Sequence, residues 1–128
     1  FPGETEEEFQ QTLDFIQRCA FSAMHIFPYS KRPGTPAAKL PGQVSNAVKE
    51  ARAHQAAQAA QAMQEHYLDL WVGETVPILL EEVRDGLCRG HTTRYCEVAV
   101  ESPEALHNQL RQVRLIGHAA GVLQGVLL

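Results

Sequence analysis

The chain has 128 residues, of which 45% are hydrophobic and 20% charged; this composition excludes a disordered or fibrous protein and fits one domain or two very small ones. It has 11 basic and 15 acidic residues, for a net charge of -4, and five of the acids lie in the first twenty residues. From residue 21 onward ten basic residues face ten acidic ones, which excludes a strongly cationic nucleic-acid binder, because phosphate contacts come mainly from Lys and Arg. Any contact with RNA must therefore depend on a local cluster of residues and not on the overall charge.

Three cysteines, Cys19, Cys88 and Cys96, form an odd number with no C-x-x-C pair. This disfavours a disulfide framework or a thiolate metal cage and indicates a reducing compartment. No apolar run approaches the about 18 residues that a membrane span needs, and no signal peptide opens the chain, so we expect a cytoplasmic protein without membrane contact. Because the chain starts at Phe1, among turn-forming residues, we expect a piece of a longer protein.

A first helix is predicted to start at Thr5. Thr5 and Glu8 form a capping box, in which the hydroxyl and the carboxylate each accept a bond from a backbone N–H that has no partner within the helix. Apolar residues then recur at helical spacing in one stripe, and the helix should end near Cys19. The stripe consists of Phe9, Leu13, Ile16 and Ala20.

The next segment, Ala23–Tyr29, is short and apolar, as in a buried strand, and a proline-rich loop over 31–36 follows it. Helix, strand and loop in this order resemble a fragment of an α/β unit. A strand without its preceding neighbour leaves N–H and C=O groups unpaired. We therefore expect residues 1–42 to be ordered only by a strand-swapped oligomer or by folding back on the helix that follows.

Residues 43–68 lack Gly and Pro and are rich in Ala and Gln, which predicts a helix of about 25 residues. Its apolar stripe is thin, so we expect either a connector that lies against another part of the protein or a plain spacer helix.

From Leu70 onward the pattern changes to short strands separated by turns, one of which is predicted at Arg84-Asp85-Gly86. Five short strands in about 58 residues are typical of a small closed barrel, which removes the exposed edges that such strands would present. Strand segments include 76–80, 94–100, 112–116 and 122–127. The boundary of this barrel falls near Leu68.

Two long motifs resemble the signatures of the radical-SAM methylthiotransferases. Residues 1–9 (FPGETEEEF) are similar to the family's GFPGET…F string, and residues 27–37 (FPYSKRPGTPA) to its FPYSxRPGTxA string. The tail from Val72 resembles the family's C-terminal TRAM domain. Among the branches, the string Gly-His-Thr-x-x-Tyr at 90–95 is most similar to the enzymes that methylthiolate threonylcarbamoyladenosine at position 37 of tRNA.

The resemblance implies an α+β chain in three parts: a remnant of the radical-SAM α/β barrel over 1–42, a linker helix over 43–68, and a small five-stranded antiparallel, OB-like TRAM barrel over 69–128. It implies that the full enzyme uses S-adenosylmethionine and two [4Fe-4S] clusters, whose ligands are absent from this chain. The chain alone would then be inactive, and its partners would be the tRNA anticodon stem-loop and the missing N-terminal domains of the same protein.

The same resemblance places Glu4, Phe27, Tyr29 and Ser30 where they would face S-adenosylmethionine, at strand ends, the usual place for chemistry in barrel enzymes. Glu4 could instead be an ordinary first-turn helix acid, and the aromatic residues Phe27 and Tyr29 could be barrel core. No catalytic or metal-binding residue is expected. The six histidines show no H-x-x-x-H or H-E-x-x-H pairing, and the cysteines are not at cluster spacing.

Cations and aromatic side chains concentrate in one segment of the tail, which we expect to be a loop entering a strand. Barrels of this kind bind single-stranded nucleic acid by stacking bases on aromatic rings while cations hold the phosphates. The alternative is a solvated loop with Tyr95 packed inward. Trp71 is expected to be a packing anchor. The candidate RNA-binding residues are Arg89, His91, Thr92, Arg94 and Tyr95, together with Arg32 in the proline-rich loop, whose guanidinium can bind a phosphate or carboxylate.

Two other functions stay open at the level of the sequence. One is a non-catalytic RNA-binding or assembly module. The other is a methylthiotransferase of another branch, acting on isopentenyladenosine in tRNA or on a ribosomal protein.

Overall fold

The first helix, α1, spans Glu6–Cys19 in the computed structural model, which describes all residues 1–128. The predicted capping box is confirmed: the Glu8 N–H donates to the Thr5 hydroxyl at 3.2 Å, and the Thr5 N–H donates to the Glu8 carboxylate at 3.0 Å. The helix ends as predicted, because Ala20 adopts a left-handed conformation with φ of 50° and the helical bonds cannot continue past it.

The second helix, α2, spans Asn46–Asp69 and begins where the Ser45 hydroxyl accepts a bond from the Val48 N–H. The chain divides into two compact units, Phe1–Gln64 and Glu65–Leu128, and this division falls inside α2. In the first unit, Phe9 and Ile16 of α1 are buried, as are Ala56 and Met63 of α2. No helix of the structure combines the length and the apolar character that crossing a bilayer requires.

The prediction of a strand at Ala23–Tyr29 is wrong, because this segment has no regular secondary structure. A strand needs a neighbouring strand to pair its N–H and C=O groups, and the first unit contains none. The chain instead folds back on α2, where the Phe21 N–H donates to the Met63 sulfur at 3.0 Å and Ile26 lies in a cleft with Ala57. Phe27 is 83% exposed and is therefore not a core residue.

The second unit contains the predicted closed barrel of five strands. Its strands follow in the order β1-β2-β3-β5-β4 around the barrel, and every neighbouring pair is antiparallel except β3 and β5, which run parallel. The strands are β1 (Thr75–Arg84), β2 (Leu87–His91), β3 (Glu97–Glu101), β4 (Gln109–Ala119) and β5 (Val122–Leu127).

Strand β2 differs from the sequence prediction, which places its residues in a loop. It has only five residues, and Arg89, Gly90 and His91 give it no apolar run. Strand β3 starts at Glu97, three residues later than expected, because Tyr95 has a φ of 63° that no strand residue adopts. The turn between β1 and β2 is confirmed, with positive φ at both Asp85 and Gly86, as tight hairpins require.

The barrel core forms from alternate residues of each strand, which point inward. Ile78, Leu80, Val98, Leu115 and Leu123 are among those with no solvent exposure. Gly90 occupies one of these inward positions, and a Cβ atom there would collide with the carbonyl oxygen of Leu79 on β1. Only glycine therefore allows β1 and β2 to approach each other this closely.

We expect Gly90→Ala to destabilise the second unit by about 2–3 kcal/mol, because the added methyl group meets backbone that cannot rotate away. The matched control is Gly117→Ala, since a Cβ at Gly117 meets only the Gln124 side-chain oxygen, at 3.7 Å. Urea denaturation followed by circular dichroism measures both variants. Equal midpoints for the two would contradict this account of the strand contact.

Candidate functional site

The loop between β2 and β3, residues 92–96, is held by one buried hydroxyl. The Thr92 hydroxyl accepts bonds from the N–H groups of Arg94 and Cys96, both at 3.2 Å. The Thr92 N–H donates to the Cys96 carbonyl at 2.9 Å, and Thr92 is only 4% exposed. Thr92 therefore shapes the loop, and its hydroxyl is already occupied within it.

This β2–β3 loop presents Tyr95 to solvent. Tyr95 is 91% exposed, so the alternative in which its ring packs inward is wrong. Its φ of 63° lies in the left-handed region, which costs a residue with a Cβ about 1 kcal/mol or more. Positive φ also occurs at Ala20, Asp85, Asn108 and Ala120, so it is the exposure of the large ring that makes Tyr95 a candidate for contact with a ligand.

Arg94 is the cation beside this ring in the chain. Its guanidinium carbon lies 5.9 Å from the centre of the Trp71 ring, a cation–π distance, and it has no carboxylate partner. Trp71 packs against the barrel core and makes an edge contact with Tyr67, so it is the packing anchor that the sequence predicted. Arg94 is thus positioned by Trp71 while its charge stays uncompensated.

Arg89 and His91 lie on β2 and not in a loop, and both have carboxylate partners. The Arg89 guanidinium donates to the Glu97 carboxylate at 2.7 Å. A nitrogen of the His91 ring lies 3.0 Å from the Glu81 carboxylate. These two candidates therefore offer less uncompensated charge to a phosphate than Arg94 does.

The second unit contains more acidic than basic residues. Residues 65–128 contain five basic residues, all arginine, and nine acidic ones, which gives this unit the whole net charge of -4. The first unit has six of each. A ligand of the barrel therefore gains little from long-range attraction of its phosphates, and contacts at the β2–β3 loop must supply the affinity.

In the first unit the structure brings together three of the four predicted cofactor residues. Glu4, Phe27 and Tyr29 line one cavity of about 140 Å³. Ser30 lies outside it, in a neighbouring cleft that it shares with Tyr29. Arg32 belongs to neither, and its carbonyl oxygen accepts bonds from the Thr35 N–H and hydroxyl.

Glu4 is held by Arg52, a residue of α2 that the sequence did not single out. The Arg52 guanidinium donates to the Glu4 carbonyl at 3.1 Å and lies 3.4 Å from its carboxylate. It also reaches the Glu6 carboxylate at 3.3 Å and packs over the Phe9 ring. With 13% of its side chain exposed, Arg52 fixes the turn before α1. No short motif contains both partners, since 48 positions separate them.

The cavity does not fit a complete S-adenosylmethionine. Sites that enclose a small-molecule ligand usually measure about 300–1,000 Å³, well above the 140 Å³ found here. At this volume, the residues that line the cavity could form only one wall of a larger site. One polar atom there, the Tyr29 hydroxyl, is buried without a hydrogen-bond partner. A [4Fe-4S] cluster does not fit either, because the three cysteines are scattered and no group of His, Cys, Asp or Glu is arranged to hold a metal ion.

Nearly the whole chain is similar in sequence to known proteins. The threonylcarbamoyladenosine tRNA methylthiotransferase MtaB of Bacillus subtilis is 36% identical over 91% of the chain. The ribosomal protein uS12 methylthiotransferase RimO of Heliobacterium modesticaldum is 41% identical over 94% of it. The tRNA-2-methylthio-N(6)-dimethylallyladenosine synthase of Maricaulis maris is 35% identical over 99% of it. The chain is a homologue of part of the methylthiotransferases.

The three methylthiotransferases share this similarity although their names give different substrates, so the comparison does not single out a branch. The chain spans about a quarter of their length, 26–28%. No protein-family model matches it. A multidomain protein with nucleic acid binding domains from Streptococcus pneumoniae matches 45% of this chain and 23% of its own, with a TM-score of 0.42 and 12% identity, a likeness too small to bear on function.

We expect Tyr95→Gly to stabilise the second unit of this methylthiotransferase homologue by about 0.5–1 kcal/mol, because glycine relieves the left-handed strain and an exposed ring loses no core contact. Tyr95→Ala is the matched control, since alanine keeps the Cβ and therefore the strain. Thermal or urea unfolding measures the difference. A glycine variant no more stable than the alanine variant would show that the loop stores no strain at Tyr95.

For the first unit, we expect Arg52→Ala to destabilise α1 and the turn at Glu4 by about 1–2 kcal/mol, because it removes the bonds from the partly buried guanidinium to the Glu4 carbonyl and to the Glu4 and Glu6 carboxylates. Arg18→Ala, at an exposed position in the last turn of α1, is the control. Hydrogen exchange of the α1 amides reports the effect. Similar exchange rates in both variants would show that Arg52 does not stabilise this unit.

Proposed function

We propose that this chain is part of a tRNA-modifying methylthiotransferase that acts on threonylcarbamoyladenosine at position 37 of tRNA in the cytoplasm. The barrel of the second unit supplies contact with the anticodon stem-loop. The homology to methylthiotransferases supports the reaction class, and the string Gly-His-Thr-x-x-Tyr at 90–95 supports the branch.

The single observation that carries the RNA-binding proposal is the exposed, strained Tyr95 ring on a loop locked by Thr92. Stacking of a base on an aromatic ring contributes about 1–3 kcal/mol and does not need a cationic surface. This suits a barrel whose net charge is negative. Arg94, beside it and without a carboxylate partner, would hold one phosphate, while Thr92 shapes the loop.

The first unit would contribute a wall to the site of S-adenosylmethionine in the whole enzyme, through Glu4, Phe27, Tyr29 and Ser30. The two [4Fe-4S] clusters would be held by residues outside this chain, which has no ligand set for them. On this proposal the 128 residues position the substrate RNA and close one side of the reaction site, and the radical chemistry belongs to the rest of the enzyme.

The test is a titration of the chain with an anticodon stem-loop RNA that has an unpaired adenosine at position 37. We expect Tyr95→Ala to weaken binding by about 5- to 150-fold, the equivalent of 1–3 kcal/mol, and Tyr95→Phe to bind nearly as well as the parent. Arg94→Ala should weaken binding and lower the salt dependence by about one phosphate contact. Arg89→Ala should have a smaller effect, because Glu97 already neutralises Arg89.

The control is Arg84→Ala, in the hairpin at the opposite end of β2 from the β2–β3 loop, where Arg84 pairs with Asp85. This variant should bind RNA like the parent. If Tyr95→Ala and Arg94→Ala also bind like the parent while their circular dichroism is unchanged, the β2–β3 loop is not the RNA contact, and a branch with a protein substrate becomes the better explanation.

A further inference from the structure

A groove on the outer surface of the barrel was not indicated by any sequence motif. The outward side chains of β2, β3 and β5, together with the end of β4, enclose a cavity of about 720 Å³. This volume lies within the range of about 300–1,000 Å³ that is usual for binding sites. Neither Tyr95 nor any other residue of the β2–β3 loop lines the groove.

The shape of the groove follows from the strand pairing. Ala99 of β3 pairs with Arg89 on one side and with Gln124 on the other, so a small side chain lies between two longer ones and forms the floor. On β4, the pairing with β5 shifts register between Leu115 and Gly117, and the intervening Ile116 stands out from the sheet with 56% of its surface exposed.

Much of the lining is apolar. Leu87, Ile116 and Val126 border the groove from three different strands, and alanines at 99, 119 and 120 lie among them. An exposed apolar surface with a polar rim is typical of a site for another macromolecule, since water alone is a poor partner for it.

The charges at the rim favour a cationic partner. Glu101 lies opposite Leu87 in the β2–β3 pairing and forms no salt bridge. The adjoining cleft of about 450 Å³ shares Leu87 and Arg89 with the groove and adds Glu82, which also has none. The arginines do not compensate these two acids, because Arg89 is paired with Glu97 and Arg84 with Asp85. The carboxylates Glu82, Asp85, Glu97 and Glu101 outnumber the two arginines in this region, which disfavours a ligand that binds through phosphates.

We propose that this groove docks a protein segment that presents aliphatic side chains flanked by Lys or Arg. The aliphatic side chains lie over Ala99 against Leu87, Ile116 and Val126, and the cations approach Glu101 and Glu82. The barrel is closed, so it has no free edge to which the segment could add a strand, and side chains provide the recognition. This interaction goes beyond the proposed RNA contact and does not depend on it.

The test uses the whole chain and three synthetic helical peptides of equal length: one of leucine and lysine, one of leucine and glutamate, and one of alanine and lysine. We expect only the leucine–lysine peptide to bind. Glu101→Lys should weaken its binding about tenfold at low salt, and Glu74→Lys, an equal charge change at an exposed position outside the groove, less than about twofold. Ala99→Leu, which fills the floor, should weaken it about tenfold.

Tyr95→Ala should leave peptide binding unchanged, which separates this site from the RNA contact. Equal binding of the leucine–glutamate or the alanine–lysine peptide would overturn the proposal. So would parent-like affinity of both Glu101→Lys and Ala99→Leu with the barrel intact by circular dichroism. Protection of the groove amides by a single-stranded RNA in place of the peptide would assign the groove to nucleic acid and equally overturn it.

Discussion

Close packing at two glycines is the constraint on which the second unit depends. A Cβ at Gly90 would collide with the Leu79 carbonyl, and one at Gly125 with the Val113 side chain. Glycine at 90 therefore lets the backbones of β1 and β2 approach closely, and glycine at 125 leaves room inside the barrel for the Val113 side chain. Closure of the barrel in turn buries the core and leaves no strand edge exposed, so both proposed binding surfaces are built from loops and outward side chains.

The two surfaces of the barrel differ in the interaction that would hold a partner. At the β2–β3 loop an exposed ring and one uncompensated arginine offer stacking and a single phosphate contact. The groove combines an apolar floor with the Glu101 carboxylate, and the adjoining cleft adds Glu82. Because the Arg89–Glu97 pair neutralises the region between β2 and β3, a barrel with a net charge of -4 can still present surfaces of different chemistry.

Local patterns predicted much of the fold. The capping box at Thr5 and the turn at Asp85-Gly86 depend on residues a few positions apart, and the closed barrel follows from the spacing of short apolar segments. Strand β2 is not predicted, because its five residues include Arg89, Gly90 and His91 and give no apolar run. The strand expected at Ala23–Tyr29 fails because its pairing partner is not in the first unit. Among the candidate site residues, Tyr95 is predicted from its motif, whereas its positive φ depends on the bonds within the β2–β3 loop and the contact of Arg52 with Glu4 joins residues 48 positions apart.

The parallel pairing of β3 with β5 has a consequence for how the barrel folds. It joins only three residue pairs, Val98–Val100 with Leu123–Gly125, whereas the hairpins of β1 with β2 and of β4 with β5 join neighbours along the chain. Contacts between distant segments form late, because the loop between them must first lose its freedom. The two hairpins can therefore form early, whereas the β3–β5 seam and the β1–β4 pairing, which join distant segments, close later. Because the β3–β5 seam has only three residue pairs, the fewest of the five strand pairings, we expect the native barrel to open there first, next to the groove that the same strands line.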